Sequence, residues 1–176
     1  MGTHLDAEGR PRMVDVGAKS PSVRRAVAEG TVTVPVGLES SPSDAEWWTA
    51  KGPVFQTAIV AGIQGAKATA TTVPLCHPLP LTSCDVTVER VPAEHDPGSD
   101  GESESGAAAE STVLRVRCTV ETTARTGVEM EALCGVSAAC LTIYDMGKSV
   151  THGIRIGPIE LVEKSGGRRD WRRGSG

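Results

Sequence analysis

The hydrophobic and polar positions of this chain follow two different periods. Apolar residues at every second position, a pattern typical of half-buried strands, occur in 84–91 (CDVTVERV) and 112–122 (TVLRVRCTVET). Two further strands are predicted at 31–36 (TVTVPV), which is β-branched and bounded by glycines, and at 154–164 (IRIGPIELVEK). Pro158 lies inside the last segment and predicts an edge position or a β-bulge, because proline cannot donate a hydrogen bond to a neighbouring strand. Four main strands are therefore predicted.

Helical spacing appears in two longer segments. In residues 53–70, Pro53 occupies a favourable first-turn position and apolar residues follow at helical intervals. Residues 130–150 predict a second, longer helix, and residues 21–29 (PSVRRAVAE) predict a short helix before the first strand. The order β-α-β-β-α-β predicts an α+β fold of the ferredoxin-like type, an antiparallel sheet with both helices on one face, plus the short N-terminal helix.

The composition fits one globular domain. The chain has 176 residues, of which 39% are hydrophobic and only 3% aromatic, so its core must consist of Val, Ala, Leu and Ile. The scarcity of aromatic residues argues against a surface that stacks nucleic-acid bases, and no nucleic-acid partner is expected. We predict a single domain over residues 1–167, followed by a mobile basic tail over residues 168–176.

The acidic charge is concentrated in one segment. The net charge of the chain is −4, but residues 93–110 carry six carboxylates and no lysine or arginine, so the net charge of the remainder is +2. Because this Gly/Ser/Ala-rich segment has too few apolar residues to bury, it is predicted to be a disordered loop. The rest of the chain is mildly basic, as an anion-binding protein is, although many other domains are too.

The cysteines and the apolar runs indicate a cellular location. The five cysteines are an odd number without CxxC spacing, which predicts reduced thiols. The N-terminus is polar, without the features of a signal peptide. The longest uncharged run, Ala132–Tyr144, is shorter than the roughly 20 residues that span a bilayer. We expect a cytoplasmic protein without membrane association.

Asp145 and Lys148 are the strongest candidates for chemistry. They are three residues apart on a predicted helix and therefore lie side by side. A surface ion pair is a common explanation of this spacing. The neighbouring residues (CLTIYDM) are apolar, however, which indicates a semi-buried pair, and a semi-buried carboxylate and amine can act as a general acid–base pair.

Cys76 and His77 lie between Pro74 and Pro78, which stiffen the connection and fix both side chains in space. Zinc would need further Cys or His residues at ligand spacing, and the sequence has none, so no metal site is predicted. His77 is interpreted as a proton-transfer or anion-binding group, with a hydrogen-bonded structural histidine as the alternative.

Further charged residues stand near predicted helix starts and glycines. Lys51 precedes a helix N-terminus, where a lysine and free backbone N–H groups can bind phosphate. Arg24 and Lys164, the latter beside a Gly–Gly pair, permit the same interpretation, and solvated surface cations are the alternative for all three. Glu129 and Glu131 begin the long helix, where the helix dipole favours carboxylates irrespective of function.

Six motifs, in this order, make a more specific pattern than any residue alone: MVDVGAKSPSVRRAVAEG, KGPVFQTAIVAGIQGAK, VPLCHPLPL, TGVEMEAL, SAACLTIYDMGKSV and KSGG. From about Met13 to Gly167 the chain resembles the molybdenum cofactor biosynthesis protein C family.

The resemblance implies a lyase in the first stage of molybdenum cofactor synthesis. Its small-molecule substrate would be the 3′,8-cyclised dihydro-GTP made by a radical SAM enzyme, and its products cyclic pyranopterin monophosphate and pyrophosphate. The family also implies a homohexamer built as a trimer of dimers. No cofactor is implied, although magnesium could accompany the triphosphate.

The resemblance also implies roles for individual residues. The implied catalytic residues are Asp145, Lys148, Lys51 and His77. The implied substrate-binding residues are Leu75, Cys76, His77, Glu129, Met130, Glu131, Arg24 and Lys164. Proton transfers during ring opening and closure suit an aspartate, a lysine and a histidine, and fixed cations suit the departing pyrophosphate.

The chain departs from the family pattern at three places. Gly147 stands where many relatives have cysteine, and Pro53 stands where relatives often have the aspartate of a KGD sequence. The acidic segment 93–110 is unusually long. None of these differences removes a charged candidate residue. The rival hypothesis is a non-catalytic sensor of GTP-like ligands, which would need the basic residues but would give no reason for Asp145 beside Lys148.

Overall fold

The computed structural model describes residues 4–6, 8–35, 45–91 and 111–174. Its secondary-structure elements in chain order are β1 (Ser22–Pro35), β2 (Trp48–Thr49), β3 (Gly52–Pro53), α1 (Val54–Lys67), α2 (Thr69–Thr72), β4 (Ser83–Val91), β5 (Ser111–Ala124), α3 (Glu129–Gly147), β6 (Arg155–Ser165) and β7 (Trp171–Arg172). The four main strands and two main helices of the sequence prediction are confirmed, with boundaries that differ by a few residues except in β1.

The main sheet has the strand order β4-β5-β1-β6-β7, and every neighbouring pair is antiparallel. The 14-residue strand β1 lies in the centre, paired along its full length with β5 on one side and from Arg25 to Thr33 with β6 on the other. The α+β class and the antiparallel sheet are thus confirmed, and the arrangement is compatible with the ferredoxin-like type. The predicted disordered loop, 93–110, lies outside the described residues.

Helices α1 and α3 pack against each other and against the sheet, and glycines let them approach closely. A Cβ atom added to Gly65 would lie 2.5 Å from the Cβ of Ala138, and one added to Gly135 would lie 2.6 Å from the Sγ of Cys118 on β5. Both distances are shorter than carbon or sulfur contacts allow, so glycine is required at each position. The core between helices and sheet consists mainly of small aliphatic residues, as the composition predicts.

The predicted short helix over residues 21–29 is wrong, because these residues form the first half of β1. Alanine, arginine and glutamate favour a helix in isolation, but a central strand gains two hydrogen-bonded neighbours and a buried face. Ala26, Ala28, Val32 and Val34 are fully buried at every second position. This alternation, with Gly30 also buried between Ala28 and Val32, is the pattern that predicts a strand.

Two details at the other end of the chain concern β6 and β7. The pairing of β6 with β1 shifts register between Gly30 and Val32, next to Pro158, which confirms the predicted bulge. The segment predicted as a mobile tail contains β7, which pairs with β6, and the N–H of Arg173 donates to the carbonyl of Val162 at 2.9 Å. Within the described residues, no helix is long and apolar enough to cross a membrane.

Candidate active site

The candidate residues gather at the two ends of α3. This helix runs without interruption from Glu129 to Gly147, so the 14 steps from Glu131 to Asp145 correspond to about 21 Å along its axis. We call Lys51, Asp145 and Lys148 the C-terminal cluster. We call the candidates around the helix start the N-terminal cluster: Arg24, Leu75, Cys76, His77, Glu129, Met130, Glu131 and Lys164.

In the C-terminal cluster, Asp145 binds two lysines at once. Lys148 Nζ lies 2.7 Å from Asp145 Oδ1, and Lys51 Nζ donates to Asp145 Oδ2 at 2.7 Å and to its main-chain oxygen at 2.8 Å. The Asp145–Lys148 contact is the side-by-side pairing that their spacing predicts. Lys51 comes from the hairpin of β2 and β3, which places it over the last turn of α3.

The two lysines fix the charge state of the cluster. Hydrogen bonds from Lys148 first, and then from Lys51, lower the pKa of Asp145 to about 2. The hydrogen bond to Asp145 in turn raises the pKa of Lys148. Near neutral pH the cluster therefore holds an ionised Asp145 and a protonated Lys148.

The C-terminal cluster is more exposed in a single chain than its apolar neighbours indicate. The Asp145 side chain is 54% exposed, because Asp145 lies with Leu141 and Lys148 on the side of α3 that points away from the sheet. Leu141 is 62% exposed as well.

In the N-terminal cluster, the connection before β4 lies beside the start of α3. A cavity of about 320 Å³ is lined by residues from both, among them Leu75, Cys76, His77, Glu129, Met130 and Glu131. The end of the connection is tied to β5, since Thr122 Oγ1 donates to the carbonyl of Pro80 at 2.6 Å and the N–H of Thr82 donates to the carbonyl of Glu121 at 2.9 Å. These bonds help fix the segment that carries the Cys–His pair.

Glu131 is the buried carboxylate of this cavity, with only 4% of its surface exposed. Burial, and then the charge of Glu129, raise its pKa, while its own backbone N–H opposes the change. Burial also raises the pKa of Cys76, with a smaller contribution from Glu131. The Cys76 thiol is therefore protonated near neutral pH and suited to contacts rather than to nucleophilic attack.

Arg24, Glu129 and Lys164 line an adjoining cavity of about 400 Å³ that is strongly basic. Lys164 Nζ lies 3.1 Å from Glu129 Oε1. Five further cations line the same cavity: Lys19, Arg25, Arg125, Arg168 and Arg169. Arg25, Arg168 and Arg169 permit the phosphate-binding interpretation from the sequence, with solvated surface cations as the alternative, whereas the sequence indicates no role for Lys19 and Arg125.

The glycine pair of the KSGG motif shapes one wall of the basic cavity. Gly166 has a positive φ of 82°, and a Cβ atom there would lie 1.8 Å from the carbonyl oxygen of Val23. Ser22 Oγ donates to the carbonyl of Gly166 at 2.9 Å, and Asp170 Oδ1 accepts from the Gly166 N–H at 3.0 Å. Glycine is thus the residue that lets the chain after β6 turn against the start of β1.

Among the described residues, no group of three or more His, Cys, Asp or Glu side chains is placed to hold a metal ion. The charged groups that the site offers to a ligand are therefore lysines, arginines and the carboxylates of Asp145, Glu129 and Glu131.

The fold and the two clusters define an α+β protein with a basic cavity at one end of α3 and a carboxylate paired with two lysines at the other. The chain belongs to the MoaC family, whose family model matches residues 13–167. It is 46% identical over 175 residues to a cyclic pyranopterin monophosphate synthase from Brucella ovis, covering 96% of this chain and 92% of that protein.

Two other relatives are similar to nearly the whole of this chain but differ in their own length. A cyclic pyranopterin monophosphate synthase from Xanthomonas oryzae is 42% identical over 168 residues, which cover 96% of this chain and 91% of that protein. A molybdenum cofactor biosynthesis bifunctional protein from Synechocystis is 42% identical over 170 residues, covering 97% of this chain but only 45% of that longer protein.

Proposed function

We propose that the protein is a cyclic pyranopterin monophosphate synthase of molybdenum cofactor biosynthesis. As a lyase, it converts (8S)-3′,8-cyclo-7,8-dihydroguanosine 5′-triphosphate into cyclic pyranopterin monophosphate and releases pyrophosphate. Relatives of nearly equal length carry this enzyme name at 42% and 46% identity. The observation in the structure that carries the proposal is the contact of Asp145 with both Lys51 and Lys148.

The C-terminal cluster supplies the proton transfers of this reaction. Asp145 accepts a proton when the purine-derived ring opens, and Lys148 donates one when the new ring closes. Lys51 holds the carboxylate in place and adds a second cation. His77, from the other cluster, is proposed as a further proton-transfer group.

The N-terminal cluster binds the substrate. The basic cavity around Arg24 and Lys164 receives the triphosphate and stabilises the negative charge that develops as pyrophosphate departs. The neighbouring cavity contacts the purine-derived part through Leu75, Cys76, His77, Met130 and Glu131. We propose no resident cofactor, and magnesium enters, if at all, with the triphosphate.

We further propose that the enzyme works as a homohexamer, a trimer of dimers, in the cytoplasm, and receives its substrate from a radical SAM enzyme. Family membership supports these three proposals. The spacing of the clusters also supports an assembly, because the roughly 21 Å between Glu131 and Asp145 exceeds what one small substrate spans easily within a chain. A second copy brings the two ends of two helices together.

The test of the function is to supply purified protein with the cyclised GTP intermediate and to measure pyrophosphate and pterin product. The proposal predicts stoichiometric release of both. Binding without release would favour the rival hypothesis, a sensor of GTP-like ligands, which uses the basic cavity alone.

Replacing Lys148 with alanine separates binding from chemistry. We expect product formation to fall by at least about 100-fold, because a positioned acid or base contributes roughly 10²–10⁴-fold. Substrate binding, measured by calorimetry, should persist, since the cations of the basic cavity are unchanged. Normal turnover by Lys148→Ala would show that the Asp145–Lys148 pair is only structural.

A further inference from the structure

The position of Lys51 depends on a very small hairpin. Lys51 lies between β2 and β3, each of only two residues, with Trp48 opposite Pro53 and Thr49 opposite Gly52. Gly52 has a φ of 111°, which the tight turn requires. An isolated hairpin of this size is not stable in water, so other contacts must hold it.

Glu46 supplies the first of these contacts. Its Oε1 accepts hydrogen bonds from the N–H groups of Trp47 at 2.9 Å and Phe55 at 2.7 Å, and its Oε2 accepts from Gln56 at 3.1 Å. Phe55 and Gln56 belong to the first turn of α1, whose N-cap residue Pro53 offers no side-chain acceptor. The carboxylate of Glu46 therefore caps the helix from outside and ties the start of the hairpin to α1.

Trp47 supplies the second contact. It is fully buried, and its carbonyl accepts from the N–H of Val54 at 2.8 Å. A Cβ atom built on Gly147 would lie 2.4 Å from Cδ1 of Ile154 and 2.8 Å from Cη2 of Trp47, so the indole fills part of the space beside the residue that precedes Lys148. This packing also explains why glycine stands at position 147.

The hairpin is thus anchored to both helices at its base, and Lys51 at its turn reaches Asp145. We propose that Glu46 is a positioning residue of the acid–base cluster: by capping α1 it holds the Lys51 hairpin in the place where Lys51 binds Asp145. Nothing in the composition of the segment 45–53 indicates this role, since Glu46 lies 99 positions before the carboxylate it serves. The expected effect of Glu46 on catalysis rests on the proposed function. Its expected effect on the contact between Lys51 and Asp145 does not.

The geometric consequence is tested without substrate. The Asp145 carboxyl carbon is followed by NMR during an acid titration, with its resonance assigned through Asp145→Asn. In the wild type it should stay ionised through the range near pH 3.9 in which an ordinary aspartate titrates. Glu46→Ala should raise the midpoint of Asp145 to the value that Lys51→Ala gives, because both changes remove the hydrogen bond from Lys51 to Asp145.

The catalytic consequence is tested by steady-state kinetics. Glu46→Ala should lower kcat by about 10- to 100-fold and leave KM within about twofold, as expected when a catalytic group is displaced by about 1 Å. Adding Glu46→Ala to Lys51→Ala should cause no further loss, since both act through one lysine. The kcat of Glu46→Gln, which keeps one acceptor oxygen, should lie between those of the wild type and Glu46→Ala. This conservative variant keeps the test valid if Glu46→Ala fails to fold.

A destabilised control separates positioning from general loss of stability. Val116→Ala removes buried methyl groups in the middle of β5, far from the hairpin, and should lower Tm without moving the Asp145 midpoint or kcat. The inference is overturned if folded Glu46 variants keep the wild-type Asp145 midpoint. If the midpoint moves while even the wild type releases no pyrophosphate, the positioning role stands and the proposed function fails.

Discussion

Asp145 receives lysines from two directions, one from its own helix and one from a hairpin 94 residues earlier in the chain. The first contact follows from spacing on a helix and could be predicted from the sequence alone. The second depends on how Glu46 and Trp47 fix the hairpin, and no local pattern reveals it. For the same reason, the five additional cations of the basic cavity become visible only when β1, β6 and the start of α3 are placed together.

At the residue scale, the contacts of Asp145 predict which lysine substitution changes its pKa most. The pKa of Asp145 is lower in the folded chain, so its charge stabilises the fold above the ordinary aspartate pKa, and this contribution is lost as pH falls towards about 2. Lys148 is the larger cause, so Lys148→Ala should raise the Asp145 midpoint more than Lys51→Ala does, as measured by NMR titration. Lys164→Ala, at the other end of α3, should leave it unchanged. An equal or reversed order would contradict the larger contribution of Lys148 to the low pKa of Asp145.

At the scale of the elements, periodicity predicted every large helix and strand except the first half of β1. There the intrinsic helix preference of residues 22–29 is overridden by pairing with β5 and β6, which are 80 or more positions away in sequence. The short strands β2, β3 and β7 have only two residues each, too few to show a period. They are held by contacts with neighbouring elements, which a sequence pattern does not contain.

The turn after β6 gives a prediction at this scale. Gly166→Ala forces a side chain into a positive-φ turn and against the carbonyl of Val23, which should cost about 1–3 kcal/mol of stability. KM should rise, because the turn links Lys164 to Arg168 in the basic cavity. Gly174→Ala is the matched control: its φ is 81°, but nothing lies within 4 Å of an added Cβ. If both variants unfold at the same denaturant concentration and bind substrate equally, the turn has no such role.

At the scale of the whole molecule, one helix separates the two groups of candidate residues. The N-terminal cluster can bind an anionic substrate and the C-terminal cluster can transfer protons, but α3 keeps them about 21 Å apart. Fourteen residues of about 100° each return to within about 40° of the same helix face. Two copies whose α3 helices met antiparallel about a two-fold axis would place Glu131 of one near Asp145 and Lys148 of the other, which would form the two shared sites that we propose.

The segment between β4 and β5 should be dispensable for both folding and activity. Val91 pairs with Val113, so the strand ends already lie side by side and a short connection can join them. Deleting residues 95–108 removes few apolar groups, and the shorter loop should change stability by at most about 1 kcal/mol. Circular dichroism and pyrophosphate release check the result. A large loss of activity in a folded, correctly assembled deletion variant would show that this segment has a function.

The most direct measurement of the central claim, that both ends of α3 serve one reaction across two copies, is complementation. Glu131→Ala and Lys148→Ala proteins, each inactive, are unfolded together and reassembled, and mixed oligomers are verified by mass. About half of the random interfaces are mixed, and each of these holds one intact and one doubly damaged site, so activity should return to about a quarter of wild type. Mixed oligomers that form and remain inactive would show that each chain uses both ends of its own helix, and would contradict the account.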